Sequence, residues 1–372
     1  MNLTSNPIFK DKEFLISHIK SIMRFYHPRC IDNENGGFFQ HFRDDGSVYD
    51  FDTRHLVSST RFIFNYSMAS IELDNDEYKD VIRHGIEYLR QFHLNTKTGS
   101  YAWILEGKDV QDSTNYCYGF AFVLLAYSTA LRAGILEAKD FIDETFDVME
   151  KHFWSKEHEL YSDEISADWQ VVSSYRGQNA NMHSCEALIM AFEATGSQKY
   201  LDRALIIAKN ICIRQASLAE GLIWEHYDSN WEINWVYNKD RPDDLFRPWG
   251  FQVGHLTEWA KLLLILERHV KEDWLLPRAQ ELFDDAIEMG WDAESEGLFY
   301  GFSPNGDICD KDKYFWVQAE SLAAAAVLAD RTGDDYYWEW YDRIWSYSWK
   351  HMIDHKYGAW FRILDSNNNK YD

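Results

Sequence analysis

Residues 119–130 read GFAFVLLAYSTA and residues 321–329 read SLAAAAVLA, and neither stretch carries a charge. A helix apolar on every side must be buried on every side. Residues 76–92 (DEYKDVIRHGIEYLRQF) behave differently, placing Tyr78, Val81, Ile82, Ile86 and Leu89 on one face with charges opposite. The chain therefore mixes enclosed helices with two-faced ones that cover them. Six prolines in 372 residues agree with a helical fold.

Working outward, short loops recur between these helices. Gly37-Phe38-Phe39, Gly99-Ser100-Tyr101, Gly297-Leu298-Phe299 and Gly358-Ala359-Trp360 share a Gly-x-aromatic pattern. Glu159-Leu160-Tyr161 lacks the glycine, and Gly221-Leu222-Ile223 lacks the aromatic but is followed by Trp224. Successive copies lie 62, 60, 62, 76 and 61 residues apart, enough each time for two helices and their loops. Six units of paired inner and outer helices predict an all-α fold, an (α/α)6 barrel forming one domain over residues 1–372. The long interval places an insertion near 226–253 (HYDSNWEINWVYNKDRPDDLFRPWGFQV), where periodicity fails. Such segments are commonly lids or binding loops, a decorative surface loop being the alternative. Eleven helices can be counted, and closure of the barrel needs a twelfth, inner one. The expectation is that these 372 residues are C-terminally incomplete, the polypeptide continuing past Asp372 with an apolar helix bearing a histidine.

Composition narrows the functions. Lys and Arg number 37 against 61 Asp and Glu, a net charge of −24, which repels phosphate backbones and anionic lipid. Nucleic-acid and membrane partners are therefore not expected. Aromatic residues make up 16% of the chain, a surplus suited either to a bulky core or to a pocket for flat apolar sugar faces. The five cysteines, Cys30, Cys117, Cys185, Cys212 and Cys309, are scattered without a C-x-x-C, so neither a disulfide framework nor a zinc knuckle is indicated. The opening MNLTSNPIFKDKEF has no leader pattern, and no apolar run reaches membrane length. The expectation is a soluble, cytoplasmic protein, with a homo-oligomer left open.

Polar residues gather where the inner helices begin: Arg54 and His55, Tyr118, Asn179 and His183, His255 and Glu258, Gln318 and Glu320. On otherwise apolar helices such a set predicts a funnel-shaped site. His255 and Glu258 are three apart and share a helix face, although Glu258 has Lys261 as an ordinary salt-bridge alternative. Histidine can take and return a proton near neutral pH. Phe315-Trp316 offers either a stacking wall for a sugar or plain core packing. His351 and His355 have a spacing that metals use, but they fall at a helix end, and no H-E-x-x-H, Walker, G-x-G-x-x-G or nucleophile-elbow pattern occurs.

At this point five stretches carry a resemblance: RHLVSSTRFIFNYS (54–67), YGFAFVLLAYS (118–128), RGQNANMHSCEA (176–187), RPWGFQVGHLTEWAKLLL (247–264) and KYFWVQAESLAAAAVLA (313–329). Together they resemble the N-acylglucosamine 2-epimerase superfamily. GHLTEWAKLL is most similar to its aldose–ketose isomerase branch, the mannose and sulfoquinovose isomerases. The resemblance covers nearly the whole chain. It implies an (α/α)6 barrel, no metal or nicotinamide cofactor, and proton transfer by two histidines through a cis-enediol(ate). His255 matches the first of those histidines, with Glu258 in support. Arg54, Tyr118, Asn179 and His183 match residues that hold the sugar and aid ring opening, and Glu320 is a further match. The second family histidine follows the region matching LDSNNNKYD (364–372), and His355, which precedes Gly358, is not its equivalent.

The leading expectation is thus a sugar isomerase interconverting an aldose and a ketose of the mannose–fructose type. A 2-epimerase of N-acetylglucosamine or a related sugar would use the same enediolate. An inverting glycoside hydrolase would need two carboxylates about 6.5–9.5 Å apart, for which Glu258 and Glu320 are the candidates. A non-catalytic sugar-binding protein is the remaining alternative.

Overall fold

The computed structural model describes residues 7–371. Residues 1–6, which begin the stretch without a leader pattern, and Asp372, beyond which a further helix is expected, lie outside the described residues. Among the described residues the fold is mostly helical, with eleven α-helices. None of these helices is long and apolar enough to cross a membrane.

The chain divides into two compact units. The first, residues 16–207 with 228–230, carries α2 (Leu56–Glu72), α3 (Tyr78–Tyr88), α4 (Cys117–Arg132), α5 (Ala138–His152) and α6 (Gln178–Thr195). The second spans residues 7–15, 208–227 and 231–371. It carries α8 (Val253–Glu267), α9 (Leu275–Gly290), α10 (Phe315–Thr332) and α11 (Asp335–Tyr347). The chain also forms α1 (Lys12–Tyr26) and α7 (Gln198–Lys209).

Within the first unit α4 packs between α2 and α6, while α3 and α5 cover α2 and α4. In the second, α8 packs on α9 and α10, and α11 covers α10. Burial follows the periodicity read from the sequence in α3 and α4, whereas α10 departs from the all-round burial expected of 321–329, with Ala323, Ala326 and Val327 only half-buried. Every residue of α4 from Gly119 to Ala130 is buried, whereas α3 buries only Tyr78, Ile82, Gly85, Ile86 and Tyr88. Each fully enclosed Leu, Ile or Phe stabilises the fold by about 1.5–3 kcal/mol over an exposed one. Hydroxyls on the enclosed helices are satisfied locally: Ser128 donates to Leu124 O at 2.7 Å, Ser184 to Ala180 O at 2.7 Å and Ser321 to Val317 O at 2.7 Å. They therefore enter the core without an unpaired polar atom.

The structure gives the loop repeat a backbone meaning. Gly37, Gly99, Gly221, Gly297 and Gly358 have φ between +69° and +98°, and Glu159 adopts +52° at the copy without glycine. Each repeat position is thus a left-handed turn residue, where glycine avoids the Cβ clash. At Gly297 space adds to this, since a Cβ would meet the Tyr347 ring at 2.4–2.7 Å. The turns close antiparallel bridges the all-α expectation did not include, such as Ile31 with Phe38, Leu94 with Tyr101, Trp154 with Tyr161 and Trp291 with Leu298.

A second set of short strands runs straight into the enclosed helices. Thr53–His55 pairs with Ile104–Glu106 ahead of α2, and Asn115–Tyr116 with Glu164–Ile165 ahead of α4. Phe251–Gln252 pairs with Gly301–Phe302 ahead of α8, and Lys313–Tyr314 with Ile363–Leu364 ahead of α10. The residue preceding each of these helices is extended and already tied to a neighbouring repeat. That pairing fixes where the first turns, and their polar side chains, are placed.

Candidate functional site

In the second unit His255 lies in the first turn of α8, 7% exposed, and its Nδ1 is 2.9 Å from Glu225 Oε1. Its ring packs against Trp316 of α10, with centroids 5.2 Å apart and planes inclined by 37°. Trp316 in turn meets the edge of Tyr300, which stacks on Tyr314 at 3.9 Å. Gly254 makes this possible, because a Cβ there would lie 2.3 Å from the Trp316 ring. Glu258, one turn along α8, is 3% exposed. A carboxylate beside an imidazole in an aromatic enclosure can orient the base and stabilise the imidazolium that forms on proton uptake.

The first unit holds another histidine–carboxylate pair. His183 of α6 has Nδ1 3.1 Å from Glu186 Oε2, and its ring sits against Tyr118 at 5.1 Å and Phe122 at 4.8 Å. Asn179, one turn earlier, has an enclosed Oδ1 that accepts no hydrogen bond from the protein. Tyr118, Asn179 and His183 therefore stand where the sequence places them, at the openings of α4 and α6. Sequence reasoning misses Arg61, whose guanidinium lies over the Phe122 ring at 4.7 Å. The signal is present: Arg61 is the one charged residue between 56 and 71, on an otherwise uncharged stretch of helix.

Arg54 does not join this group. It is 1% exposed, with Nη2 donating to Asp32 Oδ2 at 2.8 Å and Nη1 donating to Phe51 O and Thr53 O. Lys313 repeats the arrangement before α10, fully buried and paired with Asp292 at 2.8 Å. Asp32 and Asp292 each also accept backbone N–H groups of the following turn. Arg54 thus ties a turn to the strand leading into α2 through Nη1 and Nη2, while its buried Nε makes no hydrogen bond to the protein.

Five more residues find structural partners. Glu320 accepts from Lys261 Nζ at 2.5 Å, so Lys261 reaches across to α10 for a carboxylate. Gln318 is fully buried and clamps the repeat turn, accepting from Leu298 N and donating to Leu298 O. His55 caps α2 by accepting from Val57 N at 3.2 Å, its ring 4.3 Å from Trp103. His351 packs on Tyr347, while His355 bonds Trp349 O, so each has a separate role at the end of α11.

The irregular segment after Tyr227 contains no helix before α8, as its composition predicts. Sequence reasoning finds this loop but not Glu225 just before it, since nothing local distinguishes that carboxylate from the chain's many others.

Three histidines are held neutral by burial. His55, His93 and His226 are each pushed down to about 4, in every case chiefly by desolvation. A histidine depressed in the folded state contributes stability that is complete above its unfolded pKa of about 6.5 and is lost as pH falls toward 4. Asp310 acts in the opposite sense, being raised to about 6 by burial, with Asp312 and Asp243 adding to it. Burial also lowers His152 and His351 and raises Asp284 and Asp285, so with five histidines against three carboxylates we expect urea midpoints to fall between about pH 6.5 and 4. A flat profile there would show that these rings are charged in the folded protein.

Comparison with known proteins agrees with this picture. The N-acylglucosamine 2-epimerase (GlcNAc 2-epimerase) family matches residues 37–372. A D-mannose isomerase of Marinomonas mediterranea is 58% identical over 369 residues, covering 99% of this chain and 93% of that protein. The crystal structure of a D-mannose isomerase superposes with a TM-score of 0.97 at 58% identity, over 99% of this chain and 94% of the other. Cellobiose 2-epimerase from Bacillus thermoamylovorans B4167 shares the fold, with a TM-score of 0.85 at 17% identity over 96% of this chain and 93% of that one. The chain belongs to the N-acylglucosamine 2-epimerase family.

Proposed function

We propose that this protein is an aldose–ketose isomerase that interconverts a free hexose pair of the mannose–fructose type. The observation that carries the reading is the 58% identity, over 99% of the chain, to a D-mannose isomerase. The two histidine–carboxylate pairs support it chemically. A hexose opened to its carbonyl form has an acidified C2 proton, and one imidazole can remove it to leave a cis-enediolate. Returning the proton to C1 yields the ketose, while returning it to C2 gives back an aldose. We assign the C2–C1 proton transfer to His255, with Glu258 one turn along the same helix in support, and ring opening and hydroxyl binding to His183, Asn179 and Tyr118. Arg61 takes the role in holding oxygen that the sequence assigns to Arg54, and Trp316 offers the apolar sugar face its wall. Glu320 acts through Lys261. The reading includes a single (α/α)6-barrel domain, supported by the alternation of enclosed and two-faced helices.

Incubation with mannose in deuterated water tests it. The expected product is fructose carrying deuterium at C1, with turnover that withstands EDTA and needs no nicotinamide. Glucose labelled at C2 as the main product would favour the 2-epimerase instead. Neither product nor label from any hexose would overturn both.

A further inference from the structure

Glu225 lies outside every stretch that suggests a catalytic role, yet its carboxylate stands 2.9 Å from His255 Nδ1. We propose that Glu225 is the positioning residue of this base, holding Nδ1 as the protonated nitrogen so that Nε2 presents its lone pair to the substrate. An ionised carboxylate only accepts hydrogen bonds, so the imidazole nitrogen facing it must be the donor. In the neutral ring the proton then resides on Nδ1, and Nε2 is the basic atom. Both partners are buried, Glu225 at 3% and His255 at 7%, where little water competes for the bond. Trp316 against the ring limits its rotation.

The long loop is the device that holds Glu225 in place. Trp224, the residue before it, donates from Nε1 to Asn234 O at 3.1 Å. His226, the residue after it, accepts at its carbonyl from Asn234 N at 3.0 Å, and its Nε2 donates to Pro248 O at 2.7 Å. Both neighbours are therefore tied to the irregular segment. The insertion, which the sequence suggests is a lid or binding loop, serves to carry a carboxylate to the base. Glu258 lies one turn along the same helix, and Glu225 also interacts electrostatically with the buried His226 and Tyr227.

The kinetic consequence rests on the isomerase reading, but the tautomer does not. In 15N-labelled protein the His255 ring nitrogens can be assigned among the 14 histidines by difference from His255→Gln. Above its titration the wild-type ring should carry its proton on Nδ1. A proton on Nε2 would overturn the proposal whether or not any sugar is turned over. Kinetically, Glu225→Gln should lower kcat by about 10²-fold, the lower end of general acid–base effects, with KM changed by less than about threefold. The acidic limb of the kcat profile should move to lower pH, because the imidazolium loses its counter-charge. Glu225→Asp, which keeps the charge, should recover at least about tenfold of that loss. An unchanged kcat and limb in Glu225→Gln, or an Asp variant no better than Gln, would overturn it. Should Glu225→Gln fail to fold, the wild-type tautomer alone decides.

Discussion

His255→Gln is expected to keep the fold and to lose turnover by about 10²–10⁴-fold, the range for removing a general acid–base group. Glutamine fills a similar volume and its amide can still meet Glu225, so the first turn of α8 should hold. What disappears is a nitrogen able to take a proton near neutral pH. Incorporation of deuterium from solvent into the sugar should fall in step with turnover, because both pass through the same proton removal. Thermal unfolding of the variant within a few degrees of wild type establishes that the fold survives. Near wild-type exchange by such a folded variant would remove His255 from the mechanism.

The second large effect separates two arginines seven residues apart. Arg54→Met should destabilise the protein by about 3–5 kcal/mol, since it strands a buried partner charge. Asp32, 2% exposed, would keep the backbone N–H groups of Glu34 and Asn35 but lose its guanidinium partner. Arg61→Met should leave stability within about 1 kcal/mol, its head being exposed. It should nonetheless lower kcat/KM about 10–100-fold, the equivalent of losing a hydrogen bond from a charged donor. Urea denaturation and steady-state kinetics on the same preparations distinguish the two. A stable Arg54→Met protein with weak sugar binding, beside a fully active Arg61→Met, would return the substrate role to Arg54.

Arg54 points to the site in the sequence because it opens a family-like stretch beside an enclosed helix. The structure instead sets it equivalent to Lys313, each tying the strand before such a helix to a turn aspartate. Glu320 carries the same sequence signal and is engaged by Lys261. Tyr118, Asn179, His183 and His255 do stand at helix starts, because the transition from polar loop to apolar helix is visible in a few consecutive residues.

The sequence by itself determined what depends on neighbours along the chain. Helix type follows from the spacing of apolar residues within two turns, and the repeat follows from the left-handed backbone each turn demands at residues such as Gly297. Even the irregular loop before Phe251 was legible, since it is marked by what it lacks. Only the tertiary structure decided which charged groups meet. Arg54 and Asp32 are 22 residues apart, His255 and Glu225 are 30 apart, and Lys261 and Glu320 are 59 apart. The physical reason is that an ion pair depends on a few ångströms between side chains, whereas periodicity reports only which face of its own helix a side chain occupies. In a chain with 61 acidic residues, many carboxylates could in principle have faced His255. Packing of the long loop brought Glu225 to it.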